Sequence, residues 1–129
     1  MTFPITAPFA AGLTLIFIVL TQLVIFARQK ARIGLGDGGS PIVLQAMRRQ
    51  ANFVENVPLT LLLMALAEAG GAGALLLTGC GAALLAARLI HPFGIKAGAD
   101  AHPARLTGAV LTTIVQLVLV VSLLLQRFA

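Results

Sequence analysis

Four long apolar runs, separated by short polar segments, limit this chain to folds that cross a membrane. The first run, Pro8 to Phe26, contains no charged side chain, and a helix of about 20 apolar residues spans the hydrocarbon layer of a bilayer. Only 10% of the 129 residues are charged, against about 25% in soluble domains. The sequence therefore predicts an all-α integral membrane protein. We expect a four-helix bundle forming one domain over residues 1–129, with spans at about 8–27, 41–69, 74–91 and 104–126.

The segments between the runs carry signals that begin and end helices. The glycine-rich segment 34–41 lacks the Lys-Ser or Lys-Thr pair of a phosphate-binding loop, so it is predicted to be a plain loop. Its end, Ser40-Pro41, favours a helix start, because the hydroxyl can cap the helix and proline fits the first turn. Pro58 is expected to kink the second helix. Pro92 ends the third helix, and the segment from Pro92 to Pro103 is predicted to be a loop.

The basic residues lie almost entirely on one side of the predicted bundle. Four spans give one side Arg28, Lys30, Arg32, Arg48, Arg49, Arg88, Lys96 and Arg105, and the other side Arg127. Lys and Arg accumulate in cytoplasmic loops, so both termini are predicted to be outside. No positive charge precedes the first run, as one would in a signal peptide, so this run is predicted to be a retained span. Orientation in the bilayer also accounts for the net charge of +5, and no nucleic-acid partner is expected.

A polar cluster interrupts the second run near its start. Arg48, Asn52 and Glu55 occur at i, i+4 and i+7, so they share one face of a helix. Charged groups at membrane depth are costly and usually face the bundle interior or a water-filled cavity, which makes this cluster a candidate functional site. Four helix ends are expected to meet there. They bring to one depth Arg28, Arg32, Arg48, Arg49, Gln50, Asn52, Glu55, Arg88, His91 and Arg105.

This set of side chains suits a small anionic ligand. Arginine holds carboxylates through two hydrogen bonds, and asparagine and glutamine supply both donors and acceptors. No metal is expected, because His91, His102 and the single Cys80 do not form a ligand pattern. Cys80 is interpreted as an inert packing residue in the third span.

Structural roles for the same residues remain open. Arg48 and Glu55 could form an ion pair, and His91 could complement the dipole at the end of the third helix. The remaining basic residues could be anchors on the positively charged side of the membrane: Arg28, Arg32 and Arg49.

The polar pattern is similar to the signature of a known membrane family. Arg48-x-Gln50-x-Asn52-x-x-Glu55, followed by Pro58-Leu59, resembles the MAPEG proteins (membrane-associated proteins in eicosanoid and glutathione metabolism). Arg88-x-x-His91 at the end of the third span and Arg105 at the start of the fourth agree with it. The resemblance covers essentially the whole chain, whose short length is most similar to the small bacterial members.

The resemblance implies a homotrimer in a bacterial inner membrane, with glutathione bound between subunits near the cytoplasmic face. It implies a transferase or peroxidase that uses glutathione on small lipophilic electrophiles from the bilayer. The implied glutathione contacts are Arg48, Asn52, Glu55, Arg88 and His91, with Arg28, Arg32, Arg49 and Gln50 as possible additions. Arg105 lies within a residue of the arginine that stands beside the thiol in the eicosanoid enzymes, so it is the candidate catalytic residue.

Gly79, Ala83 and Ala87 recur every four residues and would let another helix approach closely.

The chain departs from the family at one chemically important position. Well-studied members place a tyrosine after the third span, near Ile95 here, but this sequence contains no tyrosine. An arginine would then have to stabilise the thiolate and lower the thiol pKa. The alternative is a non-catalytic membrane binding or scaffold protein that keeps the anion pocket. A transporter subunit is a weaker third hypothesis, because no charge deep in the first, third or fourth span marks a path.

Overall fold

The computed structural model describes residues 2–96 and 102–128 as a bundle of four helices. The elements are α1 (Thr6–Ala31), α2 (Pro41–Ala69), α3 (Ala74–Ile90), a short 3-10 helix (His91–Gly94) and α4 (Pro103–Phe128). The predicted all-α fold is confirmed. Residues 97–101 of the predicted loop, including Gly98 and Asp100, lie outside the described residues.

Some helices extend beyond the apolar runs of the sequence, because polar side chains can continue a helix. α1 continues through Arg28 and Lys30 to Ala31, because positive side chains in the last turn complement the helix dipole. α2 begins as predicted: the Ser40 hydroxyl accepts a hydrogen bond from the Val43 amide at 3.5 Å. It continues through Pro58 to Ala69 as one helix. His91, predicted to be the last residue of the third helix, instead begins the 3-10 turn that contains Pro92.

Among residues 2–96 and 102–128, three elements are long and apolar enough to cross a membrane: α1, α3 with its 3-10 extension (Ala74–Gly94), and α4. α2 is 29 residues long, but its first half carries Arg48, Arg49 and Glu55. Large apolar side chains cover the outside of the bundle, among them Leu15 and Leu125, each 66% exposed. Such a surface requires an apolar solvent. The chain is an integral membrane protein.

α2 packs against the other three helices, and so does α3. The core between the helices contains Leu13, Phe53, Met64, Leu84 and Leu119, all buried. α3 packs against α1 at Gly81, where an added Cβ would lie 2.3 Å from the Phe9 ring. A side chain at Gly81 would therefore push these two helices apart.

The close contact of α3 with α1 does not use the predicted small-residue pattern. Gly79 is exposed, and a Cβ there would meet no atom of the described residues within 4 Å. Ala83 is partly buried and Ala87 is fully buried, close to Gly108 of α4, where an added Cβ would lie 3.0 Å from the Ala87 carbonyl oxygen. A side chain at Gly79 would therefore point into space that no described residue occupies.

Polar contacts at one end of the bundle show how the helices are oriented. At one end the Glu68 carboxylate accepts hydrogen bonds from the Ile5 and Thr6 amides, both at 2.8 Å, which satisfies free donors in the first turn of α1. Gln126 donates to the Ala67 carbonyl at 3.0 Å. The start of α1 and the end of α4 therefore lie at the same end of the bundle. The opposite end, which carries the basic residues except Arg127, is called the basic end below.

Candidate functional site

A cavity of about 190 Å³ lies at the basic end, between α2, the segment after the 3-10 helix and the start of α4. Its polar lining is Gln45, Arg48, Asn52, Lys96 and Arg105, with Leu44 and Ile95 as apolar walls. Three of these side chains are cationic, and no carboxylate of the described residues lines the space. We call it the cationic cavity. Its charge favours an anionic ligand.

Helical spacing and one glycine bring the lining together. Gln45, Arg48 and Asn52 occur at i, i+3 and i+7, so α2 presents them on one face. Arg105 reaches the cavity because the 3-10 helix contacts the start of α4 at Gly94. A Cβ at Gly94 would lie 2.2 Å from the Arg105 backbone nitrogen. The close approach of the 3-10 helix to the start of α4 therefore depends on the absence of a side chain at Gly94.

Asn52 is held in one orientation by Arg88. The Arg88 Nη1 donates to Asn52 Oδ1 at 2.9 Å. Because the amide oxygen is engaged, the amide nitrogen is the group that Asn52 offers to a ligand, and it carries two hydrogen-bond donors. The orientation of Asn52 thus adds donors to a cavity that already contains three cations.

Arg88 connects three helices from inside the bundle. Its side chain is only 2% exposed. Its Nη2 donates to the Gly108 carbonyl of α4 at 3.1 Å and to the Thr112 hydroxyl, which itself donates to the Gly108 carbonyl at 2.8 Å. Arg88 does not line the cationic cavity. Its effect on a ligand there would pass through Asn52.

Arg49 fixes the segment that closes the cavity. Its Nε and Nη2 donate to the Ile95 carbonyl at 3.2 and 2.9 Å. This paired contact ties α2 to the residues that follow the 3-10 helix, including Lys96. Arg49 therefore shapes the wall of the cavity without lining it.

The structure brings only part of the predicted site together in one protomer. Arg48, Asn52 and Arg105 line the cationic cavity. Glu55 lies at its edge, where it pairs with Arg48 at 4.0 Å. His91 is buried, with 3% exposure, and does not line the cavity.

The other predicted contacts lie between α1 and α2 or at the surface. Arg28 approaches the Met47 sulfur at 3.6 Å, and Gln50 donates to the Thr21 hydroxyl at 2.9 Å. Arg32, which ends α1 with a left-handed backbone conformation, is exposed. None of these three side chains lines the cationic cavity.

Two polar residues of the cavity lining, Gln45 and Lys96, were missed as site residues. Gln45 could have been found, because it lies one helical turn before Arg48 on the same face as Asn52. Lys96 could not, because its position depends on the 3-10 helix and on the Arg49 contact with Ile95. Among residues 2–96 and 102–128, no group of three His, Cys, Asp or Glu side chains is placed to hold a metal.

Comparison with known proteins decides the family of this bundle. The model of the MAPEG family matches residues 6–125. The chain belongs to the MAPEG family. It is 33% identical over 90 residues to "Inner membrane protein YecN" of Escherichia coli K12, covering 70% of this chain and 69% of that protein. The protein of the same name from Escherichia coli O6:H1 is similar to the same extent. No solved structure is significantly similar to the chain.

Membership of the MAPEG family confirms the resemblance carried by the polar pattern of α2. It gives a reason to consider glutathione as the anionic ligand. The relatives are named only as inner membrane proteins, so the assignment of a ligand and a reaction depends on the cavity itself.

Proposed function

We propose that this MAPEG protein binds glutathione in the cationic cavity and transfers it to lipophilic electrophiles from the bilayer. The observation that carries the proposal is the convergence of Arg48, Lys96 and Arg105 around an asparagine held by a buried arginine. We place the protein in a bacterial inner membrane, as the name of its Escherichia coli relative says of that protein.

The charges of the cavity suit those of glutathione. The tripeptide carries two carboxylates, one ammonium group and a thiol. Arg48, Lys96 and the Asn52 amide supply donors for the carboxylates. Glu55, beside Arg48 at the rim, supplies an acceptor for the ammonium group. Arg88 is a positioning residue in this scheme, because it reaches the ligand only through Asn52.

The size of the cavity supports a site completed by a second subunit. Its volume is about 190 Å³, whereas sites for small molecules are typically about 300–1,000 Å³. Arg48 and Glu55 are more than half exposed in the protomer, so both side chains can also contact a neighbour. We propose a homotrimer with glutathione between subunits, in which a neighbour covers the open side of the cavity.

Arg105 is the residue that we assign to thiol activation. It lines the cavity and its guanidinium is charged at all working pH values. A positive charge beside the sulfur lowers the thiol pKa and favours loss of the thiol proton to water. The thiolate then attacks the electrophilic carbon, a carbon–sulfur bond forms, and the leaving group departs with its electron pair. His91 is a weaker candidate for a base, because it is buried outside the cavity.

A non-catalytic binding protein is the second candidate, and Ile95 favours it. Ile95 lines the cavity near the position where well-studied family members have a tyrosine, and its side chain can neither donate nor accept a proton. Ultraviolet difference spectra recorded while glutathione is added separate the two functions. An enzyme should show thiolate absorbance at a pH below that of thiol ionisation in free glutathione. Binding without thiolate absorbance would support the non-catalytic function.

Replacing Asn52 by alanine is expected to weaken glutathione binding about ten- to a hundredfold. The variant loses a hydrogen bond to a charged ligand group, which contributes about 1.5–3 kcal/mol. Isothermal titration in detergent measures the affinity. Arg32→Ala is the matched control, because Arg32 is an exposed basic residue at the same end of the bundle. Equal loss in both variants would mean that the effect is not specific to the cationic cavity.

Purified protein in mild detergent is expected to give a trimer in native mass spectrometry. The expectation follows from the incomplete cavity and from the exposed Gly79, which allows a close approach by a neighbour. Gly79→Leu should reduce the trimer fraction without lowering the helix content of the protomer. A monomer as the sole species of the wild-type protein would contradict a site between subunits.

A further inference from the structure

A second cavity, of about 250 Å³, lies near the basic end between α1 and α3. It shares no lining residue with the cationic cavity. α1 contributes aliphatic side chains from Ile16 to Leu23, and α3 with the 3-10 helix contributes Leu89 and Phe93. The cavity ends at two guanidinium-bearing side chains, Arg49 and Arg88. We call it the α1–α3 cavity.

The α1–α3 cavity opens onto the membrane-facing surface. Its rim consists of exposed apolar residues: Val19 is 57% exposed and Phe93 is 71% exposed. Its floor is buried, with Leu20 at 4% and Arg88 at 2% exposure. An amphipathic lipid could therefore enter from the bilayer with its polar end toward the arginines and its apolar chain along the rim.

The two arginines at its inner end lack a counter-charge in the described part of the chain. The Arg88 Nε is buried and makes no hydrogen bond to any of the described residues. The one ion pair among the described residues joins Arg48 and Glu55, so neither Arg49 nor Arg88 has a described carboxylate within 4 Å. Arg49 and Arg88 also flank one narrow gap beside His91. Like charges at short distance in a medium of low dielectric repel, and a bound anion would relieve the repulsion.

We propose that the α1–α3 cavity binds an anionic phospholipid, with the phosphate on Arg49 and part of one acyl chain along α1. Basic pockets between membrane helices bind anionic lipid headgroups, and Arg49 lies at the basic end, where headgroups are found. Arg49 uses Nε and Nη2 on the Ile95 carbonyl, and the guanidinium has further N–H donors for a phosphate. Arg88, which is buried at the inner end of the cavity, adds a positive charge that attracts the phosphate.

The length of the cavity fits the upper part of an acyl chain. The lining residues of α1 run from Ile16 to Leu23, a rise of about 10 Å along a helix. The remainder of the chain would lie along α1 within the bilayer. A bound lipid would also steady Arg49, and through its contact with the Ile95 carbonyl it would support the wall of the cationic cavity.

The test is native mass spectrometry of delipidated protein with phosphatidylglycerol, phosphatidylcholine or palmitate added at known concentration. Phosphatidylglycerol is expected to bind at least tenfold more tightly than phosphatidylcholine. Arg49→Gln should abolish this preference, while Arg32→Gln should retain it. Palmitate that binds as tightly as phosphatidylglycerol would overturn the assignment of a phospholipid.

A second pair of variants tests the cavity without changing charge. Val19→Trp places a large ring at the rim and should reduce phosphatidylglycerol binding about tenfold or more. Leu15→Trp changes an exposed α1 residue that does not line the cavity, and it should bind like the wild type. Unchanged binding by both Val19→Trp and Arg49→Gln would overturn the proposed site, whatever the affinity for glutathione.

Discussion

Replacing Arg88 by methionine is expected to lower the free energy of unfolding by about 1.5–3 kcal/mol, the contribution of a hydrogen bond to a charged group. The side chain is 2% exposed, and methionine can fill much of its path through the core. The Gly108 carbonyl and the Thr112 hydroxyl keep their own hydrogen bond, at 2.8 Å. Most of the lost stability therefore comes from Asn52 Oδ1, which no longer has its hydrogen-bond donor Arg88.

A double-mutant cycle separates the Arg88–Asn52 bond from the general effect of changing a buried residue. Arg88→Met should cost less stability when Asn52 is already leucine, because the acceptor is then absent. Coupling energies between residues in contact are about 0.5–3 kcal/mol. Denaturant titration of the four proteins in detergent measures the coupling, and Arg32→Met controls for loss of one positive charge at the same end. A coupling near zero, with the single variant as stable as the wild type, would show that Arg88 does not hold Asn52.

Much of the fold could be predicted because each signal is local. Four apolar runs and the Ser40-Pro41 start identified the helices, and the structure has all of them. The i, i+4, i+7 spacing placed Arg48, Asn52 and Glu55 on one face of α2. The structure then divides this face: Asn52 is half-buried, whereas Arg48 and Glu55 are exposed. Periodicity predicts a shared face but not how deeply each side chain is buried.

The contacts that set the site could not be predicted, because they join distant parts of the chain. Arg88 lies at the end of an apolar helix, where an arginine is usually an anchor, and its burial depends on Asn52, 36 residues away, and on Thr112, 24 residues away. The contact of α3 with α1 could not be predicted from the sequence pattern either. Alanine and glycine occupy several faces of α3, so a period of four could select Gly79, although Gly81 makes the close contact.

Replacing Gly94 by alanine is expected to reduce both glutathione affinity and thiolate formation, and to lower the rate of glutathione transfer by about a hundredfold. A Cβ at this position would lie 2.2 Å from the Arg105 backbone nitrogen and 2.8 Å from its Cα. These are backbone atoms of α4, so no side-chain rotation can make room. Either the 3-10 helix or the start of α4 must move. A displacement of about 1 Å of a group that acts on the reacting atom can cost about a hundredfold in rate.

Comparison with Arg105→Ala shows whether Gly94 acts through geometry. Arg105→Ala removes the guanidinium but leaves the backbone in place, so thiolate absorbance should be lost while glutathione binding is largely retained. Gly94→Ala should lose both, because moving α4 or the 3-10 helix also changes the position of Lys96. The double variant should then be no worse in thiolate formation than either single variant. Gly73→Ala is the control, because its Cβ would meet no described atom within 4 Å. Full glutathione affinity and normal thiolate absorbance in folded Gly94→Ala, verified by its melting curve, would show that the contact between the 3-10 helix and α4 does not position Arg105.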